Sequence, residues 1–205
     1  MEEKERQSAF LSALNTEHFV LQAASSANVS ESAARASIYI MALSSFLVAM
    51  GFASRSSEAF GPLVAAVLPA LFLLGLFTVI RLVDLNGHYL QHLAGMARIR
   101  SYYRALIPEA ADYFGAELDP RSMPSLQLGR GVAFLTTSPS MIAFINNIVA
   151  GAGIALLARS LLGAEHTLLA VLLGVASALI LTAAFLAFQK WRFRMYEPRL
   201  PAESA

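Results

Sequence analysis

The chain has 205 residues, 57% of them hydrophobic and 14% charged, with a formal net charge of +1. That balance leaves little for a large water-soluble core and gives no basic field to attract nucleic acid. The chain has no cysteine, which excludes disulfides, thiolate metal sites and cysteine nucleophiles.

Residues 1–35 are polar and predict a cytoplasmic amphipathic or stem helix from about Thr16 onward, capped by Asn15 or Thr16. Phe19, Ala23, Ala27 and Ser30 recur at helical spacing, and Glu31 and Arg35 form an i,i+4 pair that leads into the first apolar run. Residues 1–20 lack the basic-then-apolar order of a signal peptide, so that run is expected to act as its own insertion signal.

Four apolar runs follow, at 36–53, 61–83, 140–162 and 167–188. At about 1.5 Å rise per residue, each is long enough for the roughly 30 Å hydrocarbon core of a bilayer. In lipid, only a helix satisfies the backbone of such a segment internally. Pro62 suits a first turn, Pro69 lies inside the second run and predicts a kink, and Ser138–Pro139 reads as the cap and opening proline of the third.

Thirteen of the fifteen Lys and Arg residues flank the termini or the middle block; only Arg55 and Arg159 adjoin the short connections at 54–60 and 163–166. By the positive-inside rule, the termini and the middle block are cytoplasmic. The predicted fold is therefore an all-α integral membrane protein with four transmembrane helices as two hairpins. Its parts are the stem at 1–35, a hairpin at 36–83, a cytoplasmic helical region and loop at 84–138, a second hairpin at 139–188 and a basic-aromatic tail at 189–205. The second helix is expected to run on to about Leu106, with Pro108 ending it, a short helix near 109–114, and a loop marked by Pro120 and Pro124.

Few residues in this pattern can carry chemistry. Asn146 and Asn147 are adjacent carboxamides inside the third run, where polar groups are costly unless they meet a partner, a cavity or water. Neighbours on a helix point about 100° apart, so the two need different partners. They read either as hydrogen-bonding links between helices or as the lining of a pore. Arg98, Arg100 and Arg104, with Tyr102 and Tyr103, form the densest cytosolic cluster, suited to an anion or lipid headgroup. The plainer reading pairs these arginines with Glu109, Asp112, Glu117 and Asp119. Asp84, His88 and His92 share one helical face and are the one metal-binding candidate, although no further ligand is fixed by spacing.

Small residues Ala150, Gly151, Gly153 and Ala155, and Gly174 with Ala178, offer close packing surfaces within one chain or between copies. At 190–196, cationic and aromatic side chains alternate as an interfacial anchor. Nucleophile elbows, phosphate loops and zinc-protease signatures are missing, and no run holds a central charge for a proton relay. Neither an enzyme nor a cofactor is expected.

Glu17, His18, Phe19, Val20, Leu21 and Gln22, then Arg35, Ala36 and Ser37, the stretch 73–81, and Arg98, Ile99, Arg100, Ser101, Tyr102 and Tyr103 together give a resemblance. Over most of 17–160, the chain resembles a group of small four-span proteins of actinomycete-like bacteria. The resemblance implies a bacterial inner membrane and the same topology, but no activity and no site residues. The function expected first is a homo-oligomeric, ion-conducting or permeabilising assembly gated by its cytosolic region, with Asn146 or Asn147 on the path. The alternative is a non-conducting scaffold or accessory subunit that binds a cytosolic protein. In either case the partners are the bilayer, further copies, and a cytosolic protein or anionic ligand.

Overall fold

The computed structural model describes residues 3–107, 109, 113 and 137–196, and among these there is helix and no strand. Helix α1 is Glu3–Ala53, α2 is Ser57–Leu106, α3 is Ser138–Leu162 and α4 is Thr167–Tyr196, with a 3-10 turn at Ala164–His166 before α4. All four are long and apolar enough to cross a membrane, which fits a multi-pass membrane protein. At 51 and 50 residues, α1 and α2 are each about 75 Å long, more than twice the hydrocarbon thickness.

The helix boundaries correct several expectations. α1 starts at Glu3 rather than near Thr16, because good helix formers fill its first turns and Glu3 and Glu5 complement the dipole there. The Thr16 hydroxyl does not cap; it donates to the Ser12 carbonyl one turn back (3.0 Å). α2 begins at Ser57, so Pro62 lies inside the helix rather than in its first turn. Ser56 is the reason. Its hydroxyl accepts from the Ala59 N–H (3.4 Å), an N-cap bond that shortens the connection from 54–60 to three residues. α3 is capped by Thr137, not Ser138, in extended backbone (φ −71°, ψ 151°) without a side-chain cap bond. Pro139 keeps its expected place in the first turn. α3 stops at Gly163, whose φ of 94° suits glycine and whose N–H bonds the Arg159 carbonyl.

The chain forms two compact units. One comprises Met1–Glu31, Asp84–Phe134 and Phe193–Ala205. In it, Phe10 meets Tyr102 edge-on (centroids 5.4 Å), the Tyr103 hydroxyl donates to the Leu11 carbonyl (3.3 Å), and Leu21 lies over Gly95. The inward side of α1 is Leu11, Leu14, His18, Leu21, Ser25 and Asn28, at alternating steps of three and four. The line of Phe19, Ala23, Ala27 and Ser30 faces outward: Phe19 is 61% exposed, and the other three are exposed. Two atoms on the inward side, His18 Nδ1 and Asn28 Nδ2, are buried without a hydrogen-bond partner among the described residues. Asn28→Leu is therefore expected to stabilise the protein by about 1–2 kcal/mol, read as a higher unfolding midpoint in one detergent. A lower midpoint would mean that the carboxamide serves a contact of its own.

The other unit comprises Ser32–Val83 and Leu135–Arg192. Its core joins Tyr39 and Phe46 of α1, Leu71, Val79, Leu82 and Val83 of α2, Ile142 and Ala143 of α3, and Phe185 of α4. α3 is the most enclosed helix, with 39% of its apolar window buried against 11% for α1. Its buried residues come in pairs one turn apart, from Pro139 and Ser140 to Ala150 and Gly151. Paired burial on a helix means neighbours on two sides, and α3 has them.

Candidate functional site

The polar centre of this second unit is built around α3. Asn146 is 2% exposed; its Oδ1 accepts from the Tyr39 hydroxyl of α1 (3.1 Å), and its Nδ2 donates to the Phe72 carbonyl of α2 (3.3 Å). Asn147, one residue on, points the other way and donates through Nδ2 to Thr182 Oγ1 of α4 (3.2 Å). The two carboxamides thus do take different partners. All three partners lie on other helices of the same chain, which is the geometry of links between helices.

Gly75 makes room for this arrangement. A methyl group there would land on the Asn146 carboxamide and press on the Tyr39 ring. Two turns before Asn147, Ser140 donates to Gln189 Oε1 (3.2 Å), and Gln189 Nε2 donates to Thr137 Oγ1 (3.2 Å). Gln189 and Ser140 are fully buried. Beyond Asn147, Gly151 packs on the Gly174 backbone and Ala178, and Gly174 on Ala155. From Ser140 to Asn147 to Gly151, the facing residue number on α4 falls as the number on α3 rises. The small-residue faces are used here, inside the chain.

Tyr39, Gly75, Thr182 and Gln189 were not singled out from sequence. Gly75 left the clearest trace, a lone glycine within a run of large apolar residues. Beside the carboxamides lies an open groove of about 260 Å³. Leu76 and Ile80 of α2 and Ala184 of α4 are its exposed rim; Ala143, Asn146 and Asn147 are its buried floor. Carboxamides do not titrate, so Asn146 and Asn147 themselves can hydrogen-bond but supply no acid or base.

The other candidates belong to the first unit. Arg98 is exposed while Arg100 and Arg104 are half-buried, and among the described residues none of the three is in an ion pair. Of their expected partners, Asp112, Glu117 and Asp119 lie outside the described residues, as do most of the short helix near 109–114 and the loop around Pro120 and Pro124. Tyr102 and Tyr103, the apolar side of the cluster, pack on α1 as described above. Asp84 and His92 are half-buried and His88 is exposed. Among the described residues, no group of three His, Asp or Glu side chains is placed to hold a metal ion.

The class defined by these features is a helical protein with four helices able to cross a membrane and an uncharged polar centre among them. No protein-family model matches the chain, and neither a curated protein nor a solved structure does.

Proposed function

We propose that this chain is a non-conducting scaffold or accessory subunit of a bacterial inner membrane. In this reading the spans form two hairpins with both termini cytoplasmic, and the bundle anchors a helical stem that docks a cytosolic protein. The carrying observation is where the exposed apolar side chains lie outside the four runs: Phe10, Phe19 and Val20 are 48%, 61% and 56% exposed. Phe19 and Val20 form an adjacent exposed apolar pair on a polar helix, suited to protein contact, while Phe10 lies on the opposite side of α1. Arg98, Arg100 and Arg104 add the cationic part of such a surface, for an acidic partner or an anionic headgroup.

The pairing inside the chain is what moves this reading ahead of a conducting assembly. Asn146, Asn147 and the small-residue faces motivated a pore, and they are engaged between helices of one copy. One observation still favours conduction: both carboxamides line the open groove, where a second copy could enclose them.

Two measurements separate the readings: light scattering in nanodiscs with the lipid mass subtracted, and single-channel recording. A monomer or dimer without conductance is expected. A ring-capable oligomer whose conductance vanishes in a folded Asn146→Leu/Asn147→Leu variant would overturn the scaffold and establish the pore.

A further inference from the structure

We infer that the groove beside α3 is a binding site for an uncharged, lipid-soluble molecule with a carbonyl or hydroxyl group, its polar end at Asn147. This inference needs only the membrane-spanning class of the protein and holds for scaffold and pore alike.

The first observation is the state of Asn147. A carboxamide offers two N–H donors and an oxygen with two lone pairs. Asn147 is 7% exposed, and among the described residues Thr182 is its one side-chain hydrogen-bond partner. One N–H and the oxygen are left over. Asn146 beside it is engaged at both ends of its carboxamide. A polar group left unmade in apolar surroundings costs about 1–3 kcal/mol, which a matching ligand group would remove.

The second observation is the wall. Leu76, Ile80, Ala184 and Phe188 line the groove, and among the described residues no charged side chain does. A wall of that kind rejects ions and charged headgroups and accepts an apolar body. The volume of about 260 Å³ would hold eight or nine waters at roughly 30 Å³ each, but waters need two to four polar partners apiece and this wall does not provide them. A ring or short chain bearing one polar atom fits both the volume and the chemistry.

The third observation is depth. Asn147 lies nine residues beyond Ser138, about 14 Å along the axis of α3. A phospholipid headgroup is anchored at the bilayer surface by its charge, whereas a neutral carbonyl compound reaches that depth. Leu76, Ile80 and Ala184 are exposed, so entry is sideways from the lipid.

Trp191 supplies the readout. It is the one tryptophan of the chain, and its ring lies 6.1 Å from that of Phe188 on the groove wall. The experiment titrates decylubiquinone, a quencher with ring carbonyls, into the full-length protein in nanodiscs. 1-Bromododecane, a quencher without a hydrogen-bonding group, is the control.

Saturable quenching by the quinone is expected, with the bromoalkane at least tenfold weaker. Ala184→Phe, which fills the groove from its exposed rim and leaves the Asn147–Thr182 bond in place, should weaken quinone binding tenfold or more. Asn147→Leu, where it folds, should erase the preference for the quinone over the bromoalkane. Quenching that never saturates and has the same slope in Ala184→Phe would be simple partitioning into lipid and would overturn the site. Equal affinity for the two probes would overturn the role of Asn147.

Discussion

Replacing Gly151 with leucine should part α3 from α4 and leave little monodisperse protein to purify. A single added carbon at Gly151 would lie 2.6 Å from the Gly174 carbonyl oxygen and 2.9 Å from Ala178 Cβ. The Gly174 position is as tight, 2.5 Å from the Gly151 carbonyl oxygen and 2.8 Å from Ala155 Cβ. A side chain can rotate away from such an overlap, but a helical carbonyl cannot. The helices must therefore separate, and in lipid no hydrophobic penalty resists them, since lipid tails are as apolar as the surfaces exposed.

Separation would also stretch the Asn147–Thr182 and Ser140–Gln189 bonds. For Gly151→Ala we expect a loss of about 1–3 kcal/mol, the usual range for overpacking, and for leucine more than the fold can sustain. The checks are elution profile and thermal unfolding in a fixed detergent. Gly51 and Gly61, with nothing within 4 Å of an added carbon, are the controls. Alanine at either should be neutral or slightly stabilising by helix propensity. Tolerance at Gly151 together with damage at Gly51 would sink this packing.

The second large effect is expected at Asn146. Asn146→Leu strands the Tyr39 hydroxyl, which is fully buried and donates to the lost oxygen, and it removes the tie to the Phe72 carbonyl. With one buried donor left unpaired, the loss should be about 1–3 kcal/mol, and more where leucine also crowds the space that Gly75 leaves. Tyr39→Phe alone should cost less. Combined with Asn146→Leu it should recover part of the stability, because the stranded hydroxyl is then gone. A double-mutant cycle reads this directly, with a coupling of about 0.5–3 kcal/mol expected for two groups in contact. Strict additivity would show that the Tyr39–Asn146 bond is not made in the folded protein. The same cycle guards the conductance test above, since an unstable Asn146→Leu protein would be silent whatever its function.

The sequence carried the parts of this structure that lipid dictates. Four apolar runs of spanning length are four helices, because a backbone in hydrocarbon has few other solutions. The helix starts were harder to read. Thr16 looks like a cap and Ser138 looks like a cap, yet a hydroxyl can also bond within the helix, as Thr16 does with Ser12. Cap propensity does not distinguish these uses.

Asn146 and Asn147 stood out as polar residues in an apolar run, and their divergence followed from helical geometry alone. Their partners did not follow, because Tyr39, Phe72 and Thr182 are brought near by packing and carry no signal of their own. The small-residue faces likewise announced a close contact without naming the surface that fills it. His18 is a parallel case: steps of three and four place it on the inner side of α1, but the periodicity is equally compatible with the Phe19 line that turned out to be exposed.

The seam between α3 and α4 behaves like a vernier scale. Ser140 faces Gln189, Asn147 faces Thr182 and Gly151 faces Ala178, and each pair of residue numbers has the same total. If α4 slid by one residue, every match would fail at once. If it slid by seven, Asn147 would meet Gln189, but Gly151 would face Phe185 and the close approach would be lost. Within lipid, where apolar surfaces slide past one another at little cost, this seam has one depth at which all its marks coincide.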